Sequence, residues 1–268
     1  MFLFYACRPS HITSKLPHEY IDPASLPEKF DWRAVNGTCY VSAVTNQFLP
    51  SPCGSCWAHA STGALTDRII LATKAQLPIV QLSPQVLLDC ADPMAGSCKG
   101  GSDLLAYKFI HENGITDVTC SPYMGVDHNY WSEKPCGDTM CRNCDRFGEC
   151  RFVNATKYFV AEYGSLSGEE EMMAEVYTRG PIACSVYAHS PAFEGYTDGV
   201  IQDATEYNST THVVAITGWG VTEDGVKYWI GRNSFGTSWG MQGWFYLQRG
   251  VNCLDIEKHP CAWAVPQL

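Results

Sequence analysis

The stretch of sequence that decides the fold is residues 46–57, NQFLPSPCGSCW, in which a glycine-bearing loop leads into a helix. After Cys56, apolar residues recur at three- and four-residue spacing as far as Ile69, which predicts a helix that begins at Cys56. The helix dipole and the unpaired backbone N–H groups at such an N-terminus stabilise a thiolate. Cys56 is therefore a candidate nucleophile for attack on a carbonyl carbon.

Three further polar residues can complete a catalytic site around this sulfur. Gln47 can place a side-chain amide beside the carbonyl oxygen, where it would form an oxyanion hole with the backbone N–H of Cys56. His212 begins a predicted strand and is a candidate base, and Asn233 can hold its imidazole in the required tautomer. The local pattern Cys-Gly-Ser-Cys-Trp, with His and Asn well downstream, is typical of one class of cysteine nucleophile.

These motifs resemble the papain-like cysteine peptidases, and the resemblance extends from about Cys7 to nearly the end of the chain. The sequences CWAHAS at 56–61, YGSLSG at 163–168 and MMAE at 172–175 are similar to a carboxypeptidase branch of that family. The resemblance implies Cys56 as nucleophile, His212 as base, Asn233 as its orienting partner and Gln47 as oxyanion donor. It also implies four other site residues. Gly100 and Gly101 would pair with the substrate backbone. Trp239 would form the wall on the leaving-group side, and Trp57 would support the site.

The branch has a short insertion that blocks the primed side of the cleft, so that single residues are removed from peptide C-termini. The corresponding loop here is formed by Phe48, Leu49, Pro50, Ser51 and Pro52. Phe48 replaces a histidine associated with binding the terminal carboxylate, which puts that anchor in doubt while the steric block is kept. Phe235 replaces a tryptophan that covers the Asn–His hydrogen bond, and we expect only a modest loss of rate from it.

The N-terminal region resembles a short propeptide. Residues 1–25 are predicted to be this propeptide, with a signal remnant at 1–6 as one interpretation of the apolar start. By resemblance, Cys7 would form an inhibitory disulfide with Cys56 and keep the chain a zymogen. The rest divides into a mainly helical lobe at 26–155 and a mainly β lobe at 156–268, with the chain termini crossing between lobes.

The predicted fold class is α+β, with a helical left lobe, an antiparallel β-barrel as right lobe and the active-site cleft between them. Further helices are predicted from Ser83-Pro84, over 104–111 and after a capping box at 167–170. Strand patterns occupy 183–188, 212–217, 227–232 and 243–248.

The chain has 14 cysteines, which indicates an oxidising compartment. The resemblance implies the bridges Cys53–Cys98, Cys90–Cys136, Cys120–Cys141, Cys144–Cys150 and Cys184–Cys261, and a sixth between Cys39 and Cys253 is a further expectation. The Cys-x-x-Cys pairs at 53–56 and 141–144 could instead form a zinc site or a redox pair. A zinc site is disfavoured because no histidines lie at matching spacing. No metal or cofactor is expected. His59, His111 and His189 are interpreted as packed or surface residues.

Composition narrows the partners and the location. The net charge of −10 argues against nucleic acid or an anionic membrane surface, and no apolar run is long enough for a membrane span. Asn36, Asn154 and Asn208 are glycosylation candidates, in agreement with a lysosomal or secreted protein. We expect a monomer that acts on peptides or proteins. A papain-like endopeptidase, an acyl-transferase and a binding or adhesion homologue with dispensable catalysis are the alternatives.

Overall fold

The computed structural model describes residues 9–127, 136 and 140–268. The central helix α1 begins at Cys56, and its side chains are buried on nearly every side from Trp57 to Ile70. It packs against the helices Pro84–Cys90 and Asp103–Asn113 on one side and against the sheet on the other, so that it joins the two parts of the fold. The helices are α1 (Cys56–Ala72), α2 (Pro84–Cys90), α3 (Asp103–Asn113), α4 (Glu169–Arg179) and α5 (Pro191–Glu194).

Side-chain caps explain where two of these helices begin. The hydroxyl of Ser83 accepts a hydrogen bond from the backbone N–H of Val86, and Ser102 does the same for Leu105 at the start of α3. The predicted capping box at 167–170 is wrong. Gly168 is the N-cap of α4 with φ +91°, a backbone conformation that glycine adopts without strain, and no side chain caps this helix.

The predicted strands belong to one eight-stranded sheet, in the order β6, β12, β7, β9, β10, β11, β8, with β1 added at β9. Neighbours are antiparallel except β11 and β8, which are parallel. The fold class α+β is confirmed, but the sheet does not close into the expected barrel, because β6 and β8 are separate edges among the described residues. The strands are β1 (Phe30–Asp31), β2 (Gly96–Ser97), β3 (Gly100–Gly101), β4 (Arg142–Cys144), β5 (Cys150–Phe152), β6 (Phe159–Leu166), β7 (Ile182–Val186), β8 (Val200–Ile201), β9 (His212–Val221), β10 (Lys227–Arg232), β11 (Trp244–Gln248) and β12 (Cys261–Gln267).

Two hydrophobic cores flank the sheet. The first contains Trp57 and Leu65 of α1, Tyr107 of α3 and Val213 at the start of β9. The second lies on the other side and is rich in large aromatic residues, among them Trp219, Trp229, Phe245 and Trp263. His212 begins β9 directly beside the first core, which places a polar side chain of the sheet near the N-terminus of α1.

The cysteines form the five bridges implied by the resemblance, Cys53–Cys98, Cys90–Cys136, Cys120–Cys141, Cys144–Cys150 and Cys184–Cys261. The expected Cys39–Cys253 bridge is wrong, because both residues are free thiols. Cys39 is exposed, whereas Cys253 is buried and its sulfur accepts a hydrogen bond from the backbone N–H of Asp203 at 3.2 Å. Across the described ranges, no helix is long and apolar enough to cross a membrane.

Candidate active site

The N-terminus of α1, where Cys56 lies, adjoins the start of β9, where His212 lies. The backbone N–H of Val213, next to His212 in the chain, lies close enough to the Cys56 sulfur to stabilise its thiolate by a hydrogen bond, as does the N–H of Trp57. His212 Nε2 lies 2.7 Å from Oδ1 of Asn233, which follows β10. Since Nε2 is engaged by Asn233, Nδ1 is the ring nitrogen that remains for proton exchange with the sulfur.

Burial works against either charge formed alone. It raises the pKa of the Cys56 thiol, an effect that the N–H groups of Val213 and Trp57 only partly offset. Burial also lowers the pKa of His212 to about 4, against the hydrogen bond to Asn233, which raises it. The helix N-terminus therefore does not suffice to form the thiolate, and the expected base partner His212 is needed as well. Transfer of the proton from sulfur to imidazole creates both charges together, and their attraction compensates for desolvation.

Gln47 is held in one orientation by three neighbours. Its Oε1 accepts a hydrogen bond from the Ser234 hydroxyl at 2.7 Å, and its Nε2 donates to the carbonyl of Cys53 at 3.0 Å. The Tyr123 hydroxyl donates to the Gln47 carbonyl at 2.8 Å. An amide nitrogen carries two hydrogens, so one N–H of Gln47 remains for a substrate oxygen.

An aromatic stack covers the His212–Asn233 hydrogen bond. The centroid of the Phe235 ring lies 4.7 Å from that of His212 and 5.0 Å from that of Phe48. Trp239 meets Phe235 edge to face at 5.7 Å. The loop 48–52 therefore lies on the side of the site bounded by Phe235 and Trp239, with Phe48 and Leu49 exposed.

Strand β3 adjoins the site beside Val213. Gly100 and Gly101 are exposed, so their backbone groups are accessible to an extended peptide. Gly101 has no room for a side chain, since a Cβ there would lie 2.5 Å from the Trp57 ring. The Trp57 indole N–H donates to the Ser97 carbonyl at 3.1 Å and ties β2, the strand paired with β3, to α1.

A cavity of about 330 Å³ adjoins β3 and the start of β9. Its lining includes Gly101, Asp103, Val213 and His259, and it also includes Pro9 of the N-terminal region. His11 exchanges two backbone hydrogen bonds of 2.9 Å with Tyr163 of the edge strand β6. Residues upstream of the predicted mature start thus pack beside the site. Cys7, the expected partner of Cys56, lies outside the described residues, and Cys56 is a free thiol within them.

The site includes two residues that sequence reasoning missed, Ser234 and Tyr123. Ser234 follows Asn233 directly, but only the approach of the loop at 45–47 to residues 234–236 shows that its hydroxyl orients Gln47. Tyr123 lies between the bridged cysteines Cys120 and Cys136 and carries no motif. Its hydroxyl is also 2.6 Å from that of Ser55, so it links the loop to the N-cap of α1.

A cysteine at a helix start beside a β-sheet, with a histidine hydrogen-bonded to an asparagine, is the arrangement found in cysteine proteases. The family described as papain family cysteine protease matches residues 26–264, and the chain belongs to this family.

Cathepsin Z of Onchocerca volvulus is 42% identical over 249 residues, covering 90% of this chain and 78% of that protein. Cathepsin B-like CP2 of Giardia intestinalis is 33% identical, over 91% of this chain and 76% of the relative. Among solved structures, the digestive procathepsin L2 proteinase of Tenebrio molitor larval midgut matches with a TM-score of 0.70 and 33% identity, covering 90% of this chain and 68% of that one. The chain is therefore similar to cathepsins of several kinds, and its identity to this cathepsin Z (42%) exceeds its identity to the other two proteins (33% each).

Proposed function

We propose that this papain-family cysteine peptidase is a carboxypeptidase that removes single residues from the C-termini of peptides. The observation that carries the proposal is the position of the loop 48–52, whose Phe48 packs on Phe235 at the Trp239 side of the site. A loop there leaves little room for substrate beyond the residue that departs. The sequence resemblance to a carboxypeptidase branch of the papain-like peptidases supports the same specificity.

The proposed chemistry starts with transfer of the Cys56 proton to Nδ1 of His212. The thiolate attacks the scissile carbonyl carbon, and the resulting oxyanion accepts hydrogen bonds from the Cys56 backbone N–H and the free N–H of Gln47. Donors of this kind contribute about 3 kcal/mol each to stabilisation of the transition state. His212 then returns the proton to the leaving amine, which departs as a free amino acid and leaves a thioester on Cys56. Water, deprotonated by His212, hydrolyses the thioester.

Phe48 weakens the demand for a free carboxylate in this proposal. Its ring is apolar and engaged with Phe235, so it offers no charge or hydrogen bond to a terminal carboxylate. Selectivity for C-termini then comes from steric block by the loop. We expect the enzyme to shorten peptides by one residue at a time. Its preference for a free C-terminal carboxylate over a C-terminal amide should be smaller than a cationic anchor would produce.

The deciding assay compares a peptide that has a free C-terminal carboxylate with its amidated twin, and products are identified by mass spectrometry. Loss of single C-terminal residues from the free peptide supports the proposal, whereas equal internal cleavage of both peptides would overturn it. Deletion of residues 48–52 is expected to raise internal cleavage, because it opens the cleft. A Cys56→Ala variant is the control for chemistry at this sulfur, and transfer to an added amine instead of water would favour an acyl-transferase.

The N-terminal region is proposed to be a propeptide that keeps the enzyme silent. Pro9 lines the cavity beside Gly101 and Val213, and the region is anchored further along by hydrogen bonds from Arg179 to the Ser14 hydroxyl and the Lys15 carbonyl. We expect Cys7→Ser to make Cys56 reactive toward a thiol reagent before processing. Unchanged labelling relative to the parent chain would argue against the Cys7 lock.

A lysosomal or secreted location fits the five bridges, since reducing compartments disfavour disulfides. The glycosylation candidates Asn36, Asn154 and Asn208 all have exposed side chains, as an attached glycan requires. Mass measurement before and after enzymatic deglycosylation tests their occupancy.

A further inference from the structure

His59 lies one helical turn after the N-terminus of α1 and is buried, with 6% of its surface exposed. Neither of its ring nitrogens has a hydrogen-bond partner among the described residues. One face of the ring packs edge to face against Tyr123 at 4.5 Å between centroids. Buried polar nitrogens rarely lack a hydrogen-bond partner, so a further partner for this side chain is expected.

Asn233 has a matching unpartnered group. Its Oδ1 accepts hydrogen bonds from His212 Nε2 at 2.7 Å and from the backbone N–H of Ser234 at 2.8 Å, which establishes which end of the amide is the oxygen. The Nδ2 end is buried and has no partner in the described part of the chain. Within the described ranges, nothing on that side holds the amide in the orientation that His212 needs.

His59 and Asn233 line the same small cavity. Its volume for the centre of a water molecule is about 10 Å³, close to the roughly 10–15 Å³ that one bound water requires. The wall is mostly polar, and Thr45, Ser234 and Arg232 add two residues with hydroxyl groups and one with a guanidinium group. The lining residues besides His59 and Asn233 are Thr45, Ala60, Val213, Ala215, Arg232 and Ser234.

We infer that this cavity binds one water molecule, which accepts a hydrogen bond from Asn233 Nδ2 and donates one to a ring nitrogen of His59. His59 is thereby a positioning residue that acts on the reaction through Asn233. The inference deepens the proposed function and rests on the role assigned there to Asn233.

The protonation state of His59 suits this role. Burial, together with the nearby His212, lowers the pKa of His59 to about 3. The ring is therefore neutral at pH 5 to 7 and has one nitrogen available as an acceptor. A neutral ring also adds no positive charge that would oppose protonation of His212.

The test uses His59→Phe, which keeps a planar ring and removes both nitrogens, in the parent chain and in an Asn233→Ala background. All variants are made as the full chain, activated in the same way and normalised to titrated Cys56 thiol. We expect His59→Phe to lower kcat about tenfold, with KM changed less than about twofold. The reason is that the Asn233 amide loses a hydrogen bond that holds it in the orientation His212 requires. In the Asn233→Ala background the same change should alter kcat less than about twofold. His59→Gln, which retains a polar end, should recover most of the loss.

Thr62→Val is the matched control, because Thr62 is buried in the same helix, bonds to the Ala58 carbonyl and does not line the cavity. It should leave kcat unchanged. An equal loss from His59→Phe in both backgrounds would show a general packing role and overturn the inference, and so would full activity of His59→Phe in the parent chain. Full activity of Asn233→Ala, by contrast, would contradict the proposed function itself.

A crystal structure gives a readout that does not depend on the folding of any variant. Density for a water within about 3 Å of both His59 and Asn233 Nδ2 is expected in the parent enzyme. A direct contact between the two side chains, or a dry cavity, would refute the water bridge.

Discussion

The buried ion pair between Asp67 and Arg232 joins α1 to the end of β10, immediately before Asn233. Arg232 Nη2 lies 2.8 Å from Asp67 Oδ2, and both side chains are almost fully excluded from solvent. Asp67 Oδ1 also accepts hydrogen bonds from the backbone N–H and the hydroxyl of Ser42, at 2.6 and 2.7 Å. Replacement of Asp67 by Ala therefore leaves a buried guanidinium without its counter-ion and removes the acceptor of two other donors.

Removal of one partner of a buried pair costs about 3–5 kcal/mol of unfolding free energy. Arg232 keeps the Ser42 carbonyl as an acceptor at 2.8 Å, which places the expected loss toward the lower end of that range. At about 2–4 °C per kcal/mol for a chain of this size, Tm should fall by roughly 6–12 °C. Because Arg232 adjoins Asn233, we also expect kcat to fall, with little change in KM.

The assay is thermal unfolding followed by circular dichroism, combined with kcat at a temperature where all variants are folded. Glu175→Ala is the matched control, since Glu175 forms a similarly buried pair with Arg68, 2.9 Å from Nη2, but on α4 and away from Asn233. It should lower Tm and leave kcat nearly intact. A loss below about 1 kcal/mol in Asp67→Ala, or equal kcat losses in both variants, would refute the reasoning.

Three further predictions concern the site itself. Asn233→Ala removes the 2.7 Å hydrogen bond to His212 and should lower kcat about 10- to 100-fold with KM nearly unchanged, as steady-state kinetics will show. Phe235→Ala uncovers that bond, so kcat should fall about tenfold, whereas Phe235→Trp should retain or raise it; a Phe235→Ala enzyme of full activity would contradict the shielding role. The pKa of His59 is lowered to about 3 in the folded state, so the unfolded state binds the extra proton below pH 6.5 and stability declines from there toward pH 3. Urea unfolding at pH 7 and pH 5 should therefore show about 2 kcal/mol less acid destabilisation in His59→Phe than in the parent, and an identical pH dependence would exclude this origin.

Local patterns were sufficient for the nucleophile helix and for the strands around the site. The spacing of apolar residues after Cys56 predicts a helix, and α1 begins at that residue. Alternation predicts strands at 212–217 and 227–232, and both belong to the sheet. Patterns of this kind lie within short windows of sequence, where helix and strand geometry impose their periods directly.

Contacts between residues far apart in the chain could be predicted less well from the sequence. Strands β6 and β12 were not predicted, and the sheet ends at β6 without closing. Cys39 and Cys253, which were expected to form a bridge, are unpaired, one exposed and one buried. Whether two cysteines approach depends on the packing of separate elements, which no spacing along the chain encodes.

The sequence by itself determined that Cys56 begins a helix, that Gln47 precedes it by a short loop, and that His212 and Asn233 follow far downstream. Only the tertiary structure decided that Nε2 of His212 faces Asn233, that Ser234 orients Gln47, and that His59 shares a cavity with the Asn233 amide. The physical reason is the range of the interactions. A helix dipole acts within a single turn, whereas the orientation of an amide or an imidazole is set by partners that the packing of α1 against β9 and β10 brings together.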